Sequence, residues 1–337
     1  MKKNLRTIFQ YLFFLGLGIF FAWLSLKNLN KENTDQIKTA FREARHWLAI
    51  PVFLILIGSH WIRAIRWRLL IEPMGYKPST ANSFFAVMIG YLVNMGVPRL
   101  GEIVKCTVLS RYEKIPADKL IGTIILERLI DALTLLVVFG ITILLQPQLY
   151  SQILDAFFNG PEAAPDKKIS TLLVSSLILA ALLLLTGLWM LIRRKKLKDL
   201  LSLFLKIYRS VMQGVSSIRH LKKRGLFLFY TVLLWSFYLA GGYIGFMAFR
   251  ETEIYGIKEA FTILSAGSIG MIASPGGIGA YAYLIEKTMQ LYGLQYTIAL
   301  AFGWILWLAQ TAVILLGGIL SFGALPYFNK KDIYEKG

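Results

Sequence analysis

The stretch Tyr91-Leu92-Val93-Asn94-Met95-Gly96-Val97-Pro98-Arg99-Leu100-Gly101-Glu102 decides how this chain is read. An apolar run from Asn82 to Val97 has helical character and stops on Gly96 and Pro98. Arg99 and Glu102 follow at once, on either side of Gly101. That run, about 16 residues, falls short of the ~20 that a helix needs to cross a bilayer. Gly and Pro break the helix and free backbone groups that lipid cannot satisfy. Such a break is tolerated inside a membrane only where protein or a wet cavity surrounds it. The stretch therefore predicts the tip of a re-entrant hairpin over about residues 82–109, broken at Gly96, Pro98 and Gly101.

The composition agrees with that setting. The chain has 337 residues, 56% of them hydrophobic and 17% charged, with a mean hydropathy of +0.58. This is the make-up of an integral membrane protein. The formal net charge of +18 would suit nucleic acid in a soluble basic domain. Here the charges sit in short loops between apolar runs, which is the pattern of membrane orientation and contact with anionic lipid. A single cysteine, Cys106, excludes an internal disulfide and a cysteine-based metal site. His46, His60 and His220 are too scattered to make a metal cluster, so no metal and no cofactor are expected. No Gly-rich loop ending in Lys-Ser or Lys-Thr marks an ATPase motor. The run Ile8–Leu26 follows Lys2, Lys3 and Arg6, lacks a small-residue cleavage site and is expected to be a retained transmembrane helix.

Six runs are long enough to cross a bilayer: Ile8–Leu26, Leu48–Leu70, Ile121–Leu145, Leu172–Ile192, Leu226–Phe249 and Ile298–Phe322. A second interrupted stretch, about 260–292, is broken at Ser274-Pro275-Gly276-Gly277-Ile278-Gly279. With the N-terminus in the cytoplasm and both interrupted stretches re-entrant, 26 Lys and Arg residues fall inside and 10 outside. If both stretches spanned instead, the loop from Arg193 to Arg224, with eleven basic residues and only Asp199 against them, would fall outside. That breaks the positive-inside rule.

The re-entrant arrangement exposes a repeat, because each half reads helix, helix, hairpin, helix. Three crossings per half make the halves run in opposite directions, and paired Gly/Pro interruptions at matching places point to a transporter site near the midplane. The predicted fold is an all-α polytopic membrane protein, an inverted-topology repeat of about six spanning helices plus two opposed re-entrant hairpins. Residues 1–146 form the first repeat, 147–169 an outer linker, 170–322 the second repeat and 323–337 a cytoplasmic tail. An amphipathic helix is expected on the cytoplasmic side over about 197–218. A surface helix is expected between Lys27 and Arg45. Trp61, Trp67, Trp189, Tyr208 and Trp235 fit anchoring at the membrane interface.

Three groups of charged residues and one uncharged break are candidates for chemistry. Glu127 and Asp131 lie four apart on one helical face, with Arg128 within reach of Asp131. Charges this deep are costly unless paired or facing a cavity. They form either a polar wall of a substrate or ion path, or a network that fastens the hairpin tip through Arg128 with Glu102 and Arg99 with Glu127 or Asp131. At the tip, Arg99 offers a planar donor fork that suits phosphate, beside a broken helix end with free N–H groups; a tight turn with a local ion pair is the other reading. Arg63 and Arg66 lie three apart near Trp61 and Trp67, as snorkelling anchors or as a trap for an anionic headgroup. The second break, Pro275, Gly276, Gly277 and Gly279, is uncharged. It either lets a ligand approach the backbone or serves close helix packing.

Taken together, the Arg63–Trp67–Leu70 run, Pro98-Arg99-Leu100-Gly101-Glu102, Glu127-Arg128 with Asp131, and Pro275-Gly276-Gly277-Ile278-Gly279 resemble a known family. This is the membrane part of bacterial lysylphosphatidylglycerol synthases/flippases and the stand-alone flippase-like proteins similar to it. The resemblance runs from about Ile8 to Phe322. It implies a multi-pass protein of the bacterial plasma membrane that translocates or binds an anionic phospholipid or a polyprenyl-phosphate-linked lipid. Arg63, Arg66, Arg99, Glu102, Glu127, Arg128 and Asp131 would then line the substrate site, the acids orienting the arginines or taking a coupling proton. The aminoacyl-transferring domain of the full synthases is expected to be missing, since the chain ends soon after the last run. Where relatives often carry an acid just after the last glycine of the second break, Ala280-Tyr281-Ala282 stand here and Glu286 comes later. A membrane-embedded enzyme using Glu127 and Asp131 as acid and base, and a non-transporting partner in envelope assembly, are the alternatives. An enzymatic role is the less favoured, because no nucleophile or metal site accompanies the acids.

Overall fold

The computed structural model describes residues 2–27, 29–97, 99–148, 221 and 223–330. Among these residues the chain is helical, with no strand. The ten α-helices are α1 (Lys2–Leu26), α2 (Lys31–Glu43), α3 (Ala49–Ile71), α4 (Thr80–Gly96), α5 (Leu100–Glu113), α6 (Ala117–Leu145), α7 (Arg224–Phe246), α8 (Ile257–Ala273), α9 (Ala280–Leu291) and α10 (Tyr296–Phe328). Two compact units are distinguished, Met1–Phe139 with Leu221–Gly337, and Gly140–His220. The first unit holds these helices except the last residues of α6. The expected span Leu172–Ile192 and the amphipathic helix over 197–218 lie outside the described residues.

Among the described residues, four helical stretches are long and apolar enough to cross a membrane: His46–Met74, Ala117–Leu145, Arg224–Phe246 and Tyr296–Phe328. They coincide with four of the six runs expected from the sequence, and the first expected run falls within α1. Large apolar side chains on these helices, such as Leu54, Val232, Leu320 and Phe322, are exposed, as lipid-facing residues should be. Between such helices there is little hydrophobic driving force, since lipid tails are as apolar as leucine. Close packing and polar contacts must hold them together instead. The segment expected as a surface helix is α2, capped by the Asn30 side chain, which accepts from the amide of Asn33 at 2.7 Å.

The first break behaves as the sequence requires. α4 ends at Gly96, α5 begins at Leu100, and the two helices pack against each other. Arg99 turns the chain with φ +67°, a left-handed conformation that non-glycine residues rarely take. The Asn94 side-chain oxygen accepts from the amide of Gly101 at 2.8 Å, satisfying a donor at the start of α5. The arms approach so closely at Gly90 and Gly101 that a Cβ on Gly101 would run into the carbonyl oxygen of Gly90. Pro98 lies outside the described residues.

The second break repeats the device with different parts. α8 ends at Ala273 and α9 begins at Ala280, with a 3-10 turn at Pro275–Gly277 between them. Gly276, Gly277 and Gly279 all take positive φ, at +57°, +71° and +68°. Side chains are disfavoured at such angles, which accounts for the glycines. The arms close at Gly270, whose missing Cβ leaves room for the backbone of Tyr281.

Each helix pair has its own core. Trp67, Ile71, Val87, Cys106, Leu109, Leu120 and Ile124 pack around the first. Phe246, Ile263, Tyr281, Ile285, Met289 and Phe302 pack around the second. The long helix α10 touches both. Near its start, Gly303 lies against Ala282 of α9, and further along Gly317 and Gly318 lie against Met88 and Leu92 of α4. Just past its end, Asn329 exchanges two side-chain hydrogen bonds with Asn82, at 2.9 and 2.8 Å. Between these contacts the Trp307 indole donates to the carbonyl oxygen of Gly276 at 2.9 Å. Gly276 in turn sits against Met95, one residue before the end of α4. The two breaks therefore meet beside the middle of α10.

Candidate functional site

Three helices bring charge to one place because each shows a single face there. On α3, Arg63, Arg66 and Trp67 project together, as residues three and four apart must. On α6, Thr123, Glu127 and Asp131 recur every four residues and meet them. From α5, Lys105 reaches Glu127. The Arg63 guanidinium donates from Nη1 to Glu127 at 2.9 Å and to Asp131 at 2.7 Å. Arg66 donates from Nη2 to Asp131 at 2.5 Å and to Glu127 at 3.4 Å. Lys105 Nζ donates to the other oxygen of Glu127 at 3.0 Å.

The cluster is sealed except at Asp131, whose side chain keeps 13% of its surface exposed. Arg66 and Glu127 have no exposed surface, and Arg63 and Lys105 keep 5% or less. Charges so deep persist only when paired and hydrogen-bonded. Further contacts come from α7, where the Tyr238 hydroxyl accepts from Arg63 at 2.9 Å and the ring of Phe227 lies 5.8 Å below the Arg66 guanidinium. Three cations face two carboxylates, so the centre carries one positive charge in excess. A half-exposed pair adjoins it, with Arg128 Nε 2.8 Å from Glu102. This second pair adds no net charge.

Beside the cluster lies a small open cleft, with room for about one water, lined by Val87, Gly90, Tyr91, Asn94, Gly101, Glu102, Lys105 and Arg128. Gly90 and Gly101 lie close together in this lining, and Lys105 and Arg128 belong to it, with the Lys105 ammonium turned to Glu127.

Of the residues singled out in the sequence, Arg63, Arg66, Glu127 and Asp131 come together, and Arg128 pairs with Glu102 as one of the readings required. Arg99 does not join them. It is exposed at the tip, and no ion pair holds it among the described residues. The acids that Arg99 was expected to fasten are held by Arg63 and Arg66. These two arginines point inward and do not snorkel to water.

Trp67 is likewise no interface anchor. It is wholly buried, its indole donates to Thr123 at 2.8 Å, and the Lys105 ammonium lies 4.5 Å from its ring centre. Sequence reading also missed Lys105, which resembles several other cationic residues between the apolar runs. Its signal was position, a lysine within the apolar arm of an interrupted helix. Glu286 on α9, which the sequence marked only as an acid later than in relatives, is buried between α1, α9 and α10.

Comparison with known proteins agrees with this architecture. Part of the chain is similar to a UPF0104 membrane protein of Methanocaldococcus jannaschii, with 26% identity over 133 residues, 39% of this chain and 36% of that protein. The match thus spans about a third of the relative's length. No solved structure matches the chain. The model of the lysylphosphatidylglycerol synthase TM region matches residues 9–318, most of the sequence, and the chain belongs to that family of membrane proteins.

Proposed function

We propose that this protein binds a lipid with a phosphate-bearing headgroup and moves it between leaflets, past the cleft beside the first helix pair. The observation that carries this reading is the buried charge centre with its single positive excess, set next to a cleft that Lys105 and Arg128 line. An anionic phospholipid or a polyprenyl-phosphate-linked lipid supplies the complementary charge. Arg99, exposed at the tip and without an ion pair among the described residues, would meet the headgroup first, and a guanidinium fork suits phosphate oxygens. Glu127 and Asp131 then act mainly as holders of Arg63 and Arg66, so the structural and transport readings of the cluster are compatible.

The same proposal reads the helix pairs α4–α5 and α8–α9 as re-entrant hairpins of two inverted repeats, residues 1–146 and 170–322, joined by a linker over 147–169. The contacts along α10 support it. The open end of the first pair lies near Asn329, the open end of the second near Thr297, and the two breaks meet at Trp307. Hairpins that enter from opposite faces and touch tip to tip would make this pattern. Both termini would then be cytoplasmic.

The test is a leaflet-specific assay with a fluorescent phospholipid in proteoliposomes. Lys105→Met and Arg128→Ala should each slow translocation at least tenfold. Rates equal to wild type in folded protein would remove the proposed site.

A further inference from the structure

Only two carboxylates are fully buried among the described residues, Glu127 and Glu286. The first belongs to the arginine cluster. The second lies on α9, beyond the second break, and takes no part in that cluster. Ser25 of α1 donates from Oγ to its Oε2 at 2.7 Å. Lys287 Nζ donates to Oε1 at 2.8 Å, and Gln290 Nε2 to the same oxygen at 3.3 Å. Ser25 is itself tied to α10, since the Trp304 indole donates to its Oγ at 3.3 Å and the Tyr296 hydroxyl donates to its carbonyl oxygen at 2.8 Å. One carboxylate thus sits at the joint of three helices.

The two buried acids differ in what balances them. Glu127 and Asp131 share two guanidinium groups, which stay charged under all ordinary conditions, and Glu127 has Lys105 besides. Adding a proton to either would leave a sealed cation without its partner, a costly state. Glu286 faces a single lysine. The Lys287 ammonium also touches Gln290 Oε1 at 3.1 Å and lies 5.5 and 5.9 Å from the ring centres of Tyr283 and Tyr296. Its side chain keeps 14% of its surface exposed, so its flexible stem can turn the charge to water if its partner becomes neutral. No other charged side chain pairs with Glu286 among the described residues. On α8, which packs against α9, Glu259 is occupied with the amide of Gly256 at 2.8 Å, and Lys258 lies in the same first turn. Just past α1, Lys27 lies over Trp23.

We propose that Glu286 is an exchangeable proton site, and that proton binding there drives the lipid movement proposed above by remaking the joint between α1, α9 and α10. The inference rests on the transport reading for its second half only. The local chemistry is balanced. With Glu286 ionised, the Ser25 hydroxyl gives its hydrogen to Oε2 and accepts from Trp304. A proton from the aqueous phase adds to Oε2, the new O–H donates to Ser25 Oγ, and the Ser25 hydrogen must turn to another acceptor. Lys287 loses its anion and swings outward. The contact of α1 with α9 is thereby rewritten close to the second break, where Gly279 already lies against the backbone of Gly18 and Ala22. Loss of the proton restores the first state. A chain whose sequence shows no nucleotide-binding loop would draw its driving force from such a gradient.

Two measurements on the full chain test this, and they fail separately. Infrared difference spectra of the purified protein, acidified stepwise, should show a carboxylic-acid C=O band that vanishes in Glu286→Gln and shifts its midpoint in Ser25→Ala. Persistence of the band in Glu286→Gln overturns the proton site whether or not the protein moves lipid. In proteoliposomes an imposed pH gradient should change the rate of lipid movement several-fold in wild type, and the ratio of rates with and without the gradient should fall to one in Glu286→Gln. A band that vanishes while the wild-type ratio is already one overturns the coupling and keeps the site. No lipid movement under any gradient overturns the transport reading instead. If Glu286→Gln fails to fold, Ser25→Ala carries both tests, since it perturbs the same proton without removing the charge pair: an unshifted band midpoint overturns the proton site, and a gradient ratio equal to wild type despite a shifted midpoint overturns the coupling.

Discussion

At the scale of single residues, Glu127 has the greatest consequence for stability. It accepts from Arg63, Arg66 and Lys105 with no exposed surface of its own. Removing one partner of a buried ion pair typically costs ~3–5 kcal/mol, because the remaining charge is left uncompensated. Glu127→Ala leaves Lys105 without its carboxylate and should lower thermal stability in detergent by about that amount, read as a large loss in melting temperature. Arg99→Ala offers the contrast. Arg99 is exposed and holds no ion pair among the described residues, so its loss should change stability by no more than ~0.5 kcal/mol while slowing lipid movement. If Arg99→Ala unfolds the protein, the tip is structural. Spacing made much of this scale legible, since Arg63 with Arg66 and Glu127 with Asp131 each announced a single face. Which faces meet was not legible, because the partners lie more than sixty positions apart. The burial of Glu286 with Lys287 was not legible for a related reason. Adjacent opposite charges in a sequence look like an ordinary solvated pair, and Ser25, which fixes their burial, lies 261 positions away.

At the scale of elements, the two breaks are close-packed joints and not loose loops. Gly101→Val would place methyl groups where the carbonyl oxygen of Gly90 and the Asn94 side chain already lie. Overpacking of this kind costs ~1–3 kcal/mol or more, and here it would also push away the Asn94 oxygen that accepts from the Gly101 amide. Gly101→Val should therefore destabilise the protein more than Gly96→Val, since a Cβ on Gly96 meets nothing within 4 Å. The comparison needs only melting curves of the two variants. The joint between α1 and the second break can be tested by cross-linking. A Cβ built on Gly18 stands 3.4 Å from the Cβ of Ser274, close to the usual separation of ~3.8 Å across a disulfide. In a Cys106→Ser background, Gly18→Cys with Ser274→Cys should lose both free thiols on mild oxidation, as counted by a mass-tagging maleimide. Two tagged thiols would place α1 away from the break. Gly and Pro marked both breaks in the sequence. The role of α10 as a shared support could not be read there, since an evenly apolar helix gives no sign of which neighbour each turn will meet.

At the scale of the whole molecule, the question is how the helix pairs face the two sides of the membrane. The count of basic residues favours cytoplasmic termini, yet the structure removes some of the charges that enter it. Arg63, Arg66 and Lys105 are committed to a buried network and cannot act as interface anchors. The eleven basic residues from Arg193 to Arg224 still weigh heavily on one side, since orientation follows Lys and Arg in short loops. If the first helix pair is a hairpin, both of its open ends lie on one face, and residues 77 and 114 label together. If the second pair enters from the opposite face, residues 258 and 293 label together from the other side. Lys77→Cys and Lys114→Cys in the Cys106→Ser background should react with an impermeant maleimide only from the cytoplasmic side of oriented vesicles, and Lys258→Cys and Gly293→Cys only from the other. A hairpin arm that crossed the bilayer fully would split its pair of labels between faces. The same four positions also separate opposed hairpins from parallel ones, because parallel hairpins would place all four labels on one face. The contacts along α10 make that outcome unfavourable. Asn82 lies at one end of α10 and Tyr292 packs near the other, so if α10 crosses the bilayer the two open ends would fall on opposite faces.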